Sequence, residues 1–233
     1  MKNEQYTFIK GKSNESPLIV IPSFQDCALN IKKEVEKITN KDFSLLTIYV
    51  SDWNNDLSPY EAPSIFKGTS DFKGNADSFL DYVLNLLKKV ILKENVKPIY
   101  KALTGYSMAG LFAIYTLFKT NEFKKVGSVS GSLWYPLFIK FVENNKVLQG
   151  ISTFYMSLGD KEKKTSNKIM SQVETNSLII FERIKTQFNN SKFEFNPGNH
   201  FKDEDLRIAK CIAYLLNNWY ALIKCLPKFI VFI

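Results

Sequence analysis

Ile99-Tyr100-Lys101-Ala102-Leu103-Thr104-Gly105-Tyr106-Ser107-Met108-Ala109-Gly110, continuing through Leu111 to Phe118, is the stretch on which the fold turns. Residues 99–104 have the composition of a buried strand, and Met108 to Phe118 is apolar on every side, as in a helix enclosed by protein. Only GYSMAG joins them, so the chain reverses from strand to helix within a few residues. Such a turn strains the residue at its apex and leaves no room for bulk two positions away on either side. Gly105 and Ala109 meet that demand around Ser107. The pattern is that of a nucleophile elbow, with the helix directing its positive end at the serine.

Outward from the elbow, strand-like and helix-like segments alternate. Leu18–Ile21 is a short apolar run closed by Pro22, and Phe43–Val50 is rich in β-branched and aromatic residues. Further strands are expected at Val126–Val129, Thr153–Ser157 and Phe193–Phe195, with helices over about 29–38, 77–92 and 203–216. The polar segment after Val50, punctuated by Trp53, Pro59, Pro63 and Gly68, is expected to be a loop near the site. Alternation with short turns predicts an α/β fold: a mostly parallel central sheet with helices on both faces and a site at the carboxyl ends of its strands. No repeat or linker interrupts residues 1–218, which are expected to form a single domain. The apolar stretch 219–233 is too short and too interrupted to span a membrane.

The sole histidine, His200, lies in the turn-rich Phe195-Asn196-Pro197-Gly198-Asn199-His200-Phe201, downstream of the serine. An imidazole with an ordinary pKa of ~6.5 can take the serine proton and return it to a leaving group. A carboxylate to hold that ring should follow a strand between the two. Gly159-Asp160-Lys161-Glu162 offers Asp160 and Glu162; Glu162 is preferred because hydrolases of this fold commonly place the acid three residues after such a glycine. The order serine, acid, histidine is that of α/β hydrolases. The oxyanion hole then needs the backbone N–H of Met108 and one from the loop after the first apolar strand. Pro22 has none, leaving Ser23 or, as the alternative, Phe24. Trp53, Tyr60, Trp134 and Tyr135 are placed to line a pocket or to cover the sheet.

Composition narrows the alternatives. Of 233 residues, 45% are hydrophobic and 23% charged, a globular balance. A net charge of +8 invites a nucleic-acid partner, but only Arg183 and Arg207 are arginine and the lysines are scattered, so none is expected. One histidine and three cysteines without CxxC spacing offer no metal cluster, and no cofactor is expected. Cysteine usage and a polar start without an apolar signal region predict a cytoplasmic protein.

Five ordered blocks resemble the Putative esterase family of α/β hydrolases, which includes esterase D-like and enterochelin-esterase-like enzymes. They are Asp52-Trp53-Asn54-Asn55-Asp56-Leu57-Ser58-Pro59, the GYSMAG elbow, Ser130-Gly131-Ser132-Leu133-Trp134, Ser157-Leu158-Gly159-Asp160-Lys161-Glu162, and Pro197-Gly198-Asn199-His200-Phe201. The resemblance implies a hydrolase of small carboxylic esters that forms an acyl-enzyme on Ser107 and needs no metal. Ile21-Pro22-Ser23-Phe24 departs from the glycine or polar motif usual after the first strand of that family. A thioesterase or lactone hydrolase would use the same triad, and a non-catalytic binding module would keep the same scaffold.

Overall fold

The computed structural model describes residues 6–65 and 68–218; the apolar stretch 219–233 lies outside the described residues. In chain order the elements are β1 (Tyr6–Ile9), β2 (Leu18–Ser23), α1 (Ala28–Ile38), β3 (Ser44–Tyr49), α2 (Trp53–Asp56), β4 (Glu61–Ala62), β5 (Phe72–Lys73) and α3 (Ala76–Lys93). They continue with β6 (Lys101–Tyr106), α4 (Met108–Thr116), β7 (Lys125–Val129), α5 (Phe138–Asn144), β8 (Thr153–Gly159), α6 (Val173–Ile184), β9 (Asn190–Asn196) and α7 (Glu204–Asn217).

Seven strands form one sheet in the order β1-β3-β2-β6-β7-β8-β9. All neighbours are parallel except β1, which runs antiparallel to β3 at the edge. Because side chains alternate along a strand, each central strand feeds two cores. Leu18 and Val20 point into the core beneath α3, α4, α5 and α6, whereas Ile19 and Ile21 point into the one beneath α1 and α7. This is the α/β arrangement expected from the alternation of segments. The strand before the elbow runs two residues further than residues 99–104, since Gly105 and Tyr106 pair with Ser128 and Val129 of β7.

Six of these elements escape the sequence pattern: β1, α2, β4, β5, α5 and α6. β1 is a four-residue edge strand. In α6, Leu178 and Ile179 are exposed among buried neighbours, which blurs its helical period. The segment after β3 is not a plain loop: it holds α2 and the β4–β5 pair, pinned where Asn55 Oδ1 accepts the Lys73 amide at 2.9 Å and Ser58 Oγ accepts that of Gly74 at 2.9 Å.

α7 is anchored along its length. At its carboxyl end, buried Lys125 donates to the carbonyls of Leu215 (2.6 Å) and Asn218 (3.0 Å) and lies 4.0 Å from the centre of the Tyr100 ring. Burial pushes this amine down to about 8. In the middle of the helix, Gly127 of β7 meets Cys211, whose Sγ would lie 2.2 Å from a Cβ added at the glycine. Gly127→Ala should therefore destabilise the protein by about 1–3 kcal/mol in urea unfolding. Adding Cys211→Ala to that variant should recover most of the loss, because the two changes share one contact.

Candidate active site

Ser107 occupies the bend between β6 and α4 with φ 58° and ψ −122°. Such a conformation costs on the order of 1–3 kcal/mol in a residue with a side chain and persists only where the surroundings enforce it. Here the Ser107 amide donates to Val129 O at 3.1 Å, and its carbonyl accepts the amides of Gly110, Leu111 and Ser132 at 3.0–3.1 Å. A Cβ at Gly105 would stand 2.4 Å from the Ala109 backbone, so only glycine lets the strand approach the helix this closely. Every residue of α4 is buried, which fixes the helix and with it the serine.

His200 follows β9 on a loop tied down from three sides. Tyr106 Oη donates to the His200 carbonyl at 2.5 Å, and Asp160 Oδ1 accepts the Gly198 amide at 2.7 Å. Arg207 Nη2 donates to the carbonyls of Pro197 (3.0 Å) and Asn199 (2.9 Å). The ring lies between two partners: Nε2 is 3.1 Å from Ser107 Oγ, and Nδ1 is 2.8 Å from Glu162 Oε2. Glu162 Oε1 accepts the Gly159 amide at 2.7 Å and Arg207 Nη1 at 3.1 Å. Burial pushes the Glu162 carboxyl up, but the hydrogen bond and charge of His200, with the Ser130 hydroxyl and the Gly159 amide, hold it below the usual carboxylate range. Burial pushes the Tyr106 phenol up to about 12, so it stays a donor.

Ser107, His200 and Glu162 are thus brought into one hydrogen-bonded line, while Asp160 is exposed and holds the histidine loop rather than the ring. Met108 opens α4, where its amide has no partner within a helix. The Ser23 carbonyl accepts the Val50 amide at 3.0 Å. A parallel ladder turns the N–H and C=O of one residue toward the same neighbour, so the Ser23 amide faces β3 and not Ser107. Phe24, one residue beyond the strand, is free of that ladder.

A cleft of about 300 Å³ opens over Ser107 and His200, walled by Phe24, Trp53, Phe201 and Ile208 with Cys27, Glu204 and Asp205 beside them. The Trp53 ring stands edge-on to Phe24 at 5.9 Å. Trp134 borders a smaller recess behind His200 and Glu162. Tyr60 and Tyr135 do not line the cleft: their hydroxyls donate to Pro136 O at 2.7 Å and Tyr60 O at 2.5 Å, and their rings pack on each other at 5.4 Å.

Sequence reasoning passed over Arg207, Tyr106, Ser130 and Ser132. Arg207 is buried, and its Nη1 also reaches Ser130 Oγ at 3.1 Å and Tyr106 Oη at 3.3 Å. Its position carried a signal. It is one of two arginines in a lysine-based chain, set near the amino end of a helix, where the dipole disfavours a cation. Ser132 Oγ is 3.3 Å from Ser107 Oγ. Among the described residues, no group of three His, Cys, Asp or Glu side chains is placed to hold a metal, and no helix is long and apolar enough to cross a membrane.

The chain is similar in structure to the siderophore hydrolase EstB from Aspergillus nidulans, at TM-score 0.75 and 15% identity, over 95% of this chain and 97% of that one. It is also similar to an IroE-like serine hydrolase from Shewanella oneidensis, at TM-score 0.73 and 15% identity, over 91% and 75% of the two chains. Among curated proteins it is 24% identical over 135 residues to Uncharacterized protein YbbA of Bacillus subtilis (strain 168). That match covers 56% of this chain and spans about half of the relative's length, 54%. A family model described as Putative esterase matches residues 28–199, which contain Ser107 and Glu162 and stop one residue short of His200. With well over half of its length matched, the chain belongs to the Putative esterase family.

Proposed function

We propose that this protein is a serine esterase that cleaves a small carboxylic ester through an acyl-enzyme on Ser107. The observation that carries the reading is the unbroken hydrogen-bond line from Glu162 through His200 to a serine held at positive φ. His200 Nε2 takes the hydroxyl proton as Ser107 Oγ attacks the ester carbonyl. The developing oxyanion is held by the amides of Met108 and Phe24 and by the positive end of α4. Collapse expels the alcohol, which takes its proton from the imidazolium, and a water activated by the same ring releases the acid. Glu162 fixes the tautomer with its proton on Nδ1 and balances the imidazolium charge. Lactones and thioesters would pass through the same steps, and the siderophore hydrolases among the structural neighbours make a siderophore ester one substrate to test.

The cleft narrows the choice of ester. Its walls are apolar and aromatic, and the charged side chains that line it beside His200 are the carboxylates Glu204 and Asp205; among the described residues no lysine or arginine lines it. Burial, with the charge of Glu34, pushes the Asp205 carboxyl up. An uncharged apolar or aromatic ester fits this lining better than an anionic one. The free thiols Cys27 and Cys211 support a cytoplasmic setting.

A fluorophosphonate probe should label Ser107 in the folded protein, and labelling should vanish in Ser107→Ala and His200→Ala; an unlabelled, folded wild-type protein would sink the reading. With short p-nitrophenyl esters, Glu162→Gln should lower kcat by roughly a hundredfold or more. Asp160→Asn keeps an acceptor for the Gly198 amide and should cost only a few-fold, whereas the reverse ranking would move the acid to Asp160. In a panel of p-nitrophenyl esters, butyrate should exceed hemisuccinate in kcat/KM by about tenfold at low salt. Parity between the two would remove electrostatics from the specificity.

The depressed Glu162 carboxyl also ties stability to pH. Its folded value lies below the unfolded one, so the ionised form contributes stability that is complete above the ordinary carboxylate range and is lost as pH falls through the depressed value. Urea midpoints measured from about pH 5 downward should therefore fall less steeply for Glu162→Gln than for the wild type.

A further inference from the structure

We infer that Arg207 is the positioning residue of this site, a single guanidinium that registers the Glu162 carboxylate against the loop carrying His200. The assignment rests on the esterase reading and adds to it a group that touches neither substrate nor nucleophile.

The geometry is that of a fork used on both sides. Nη1 holds Glu162 Oε1 at 3.1 Å, with Ser130 Oγ and Tyr106 Oη as further acceptors, and Nη2 holds the Pro197 and Asn199 carbonyls that precede His200. Acid and base come from different strands, after β8 and after β9, and the rigid guanidinium plane fixes the distance between them. Tyr106, one of its acceptors, donates in turn to the His200 carbonyl, so the loop is gripped at three carbonyl groups, those of Pro197 and Asn199 by Arg207 and that of His200 by Tyr106.

Stability alone accounts poorly for such a residue. A buried ion pair contributes little net stability against apolar side chains of similar volume, because both ions lose their water. Arg207 adds a further cost, since its Nε is buried without a hydrogen-bond partner among the described residues. It also sits near the amino end of α7, against the helix dipole. What the arrangement secures is the alignment of reacting groups, where a misplacement on the order of 1 Å costs about a hundredfold in rate.

The test uses Arg207→Met and Arg207→Lys in the full chain, with circular dichroism and urea titration to establish folding. For Arg207→Met, kcat on p-nitrophenyl butyrate should fall about ten- to a hundredfold with KM little changed. Arg207→Lys keeps the charge but cannot bridge both sides, so kcat should fall by about tenfold with KM again little changed. Wild-type kcat in either folded variant overturns the assignment, as does a loss of kcat/KM carried by a rise in KM with kcat unchanged. If Arg207→Met does not fold, Arg207→Lys decides: a folded protein with reduced kcat and unchanged KM supports the role, and full activity overturns it. Fluorophosphonate labelling of the wild type separates the two levels, because an unlabelled wild type removes the esterase reading itself, whereas a labelled wild type with equally reactive Arg207 variants removes only this inference.

Discussion

A carboxylate sealed beneath an imidazole stays charged only if donors replace the water it has lost. Glu162 meets that condition with the Gly159 amide, the His200 ring and the Arg207 guanidinium. Much of the carboxyl edge of the sheet is arranged to supply them. β8 must end in glycine, because a Cβ at Gly159 would lie 2.4 Å from the Gly198 carbonyl. The next loop must turn at Gly198, whose φ of 104° suits no other residue well. Asp160 then closes the two loops on each other through the Gly198 amide. The acid is the point around which two strand ends and the first turns of a helix are fitted.

The serine side is held by a different means. Its backbone strain is opposed by hydrogen bonds from β7 and from the Ser130–Ser132 turn, and by a helix with no exposed face. Burial on both sides of the sheet keeps β6 from relaxing the bend, since Tyr106 packs into one core and Met108 into the other. Ser107 is therefore set by packing, and His200 and Glu162 by polar contacts along neighbouring strand ends.

These two modes explain what could be read from the sequence. The buried strands and α3 announce themselves as apolar runs or as a clean helical period, and the GYSMAG elbow, the sole histidine and their chain order pointed to Ser107, His200 and the segment that holds Glu162. The strand β1 is too short for a pattern, and consecutive apolar residues in α6 hide its phase. Which of Ser23 and Phe24 turns its amide to the site depends on ladder phase, a property of pairing between strands distant in sequence. Arg207 eluded the pattern for the same reason: its acceptors span residues 106 to 199, and nothing local marks them. Tyr60 and Tyr135 look like pocket residues by type and are core residues by virtue of where their hydroxyls find acceptors.

α7 joins the two halves of this account. Its 14 residues make a rod of about 21 Å. The rod is seated on Glu162 and the histidine loop at one end, on Gly127 at its middle, and on Lys125 and Tyr100 at the other end. The carboxyl edge of the sheet and its opposite edge are thus parts of one mechanical unit. Laboratory evolution toward a new ester has two places to work: the cleft itself, and the footing of the rod far from any substrate, where small shifts retune alignment without altering a single residue that the substrate meets.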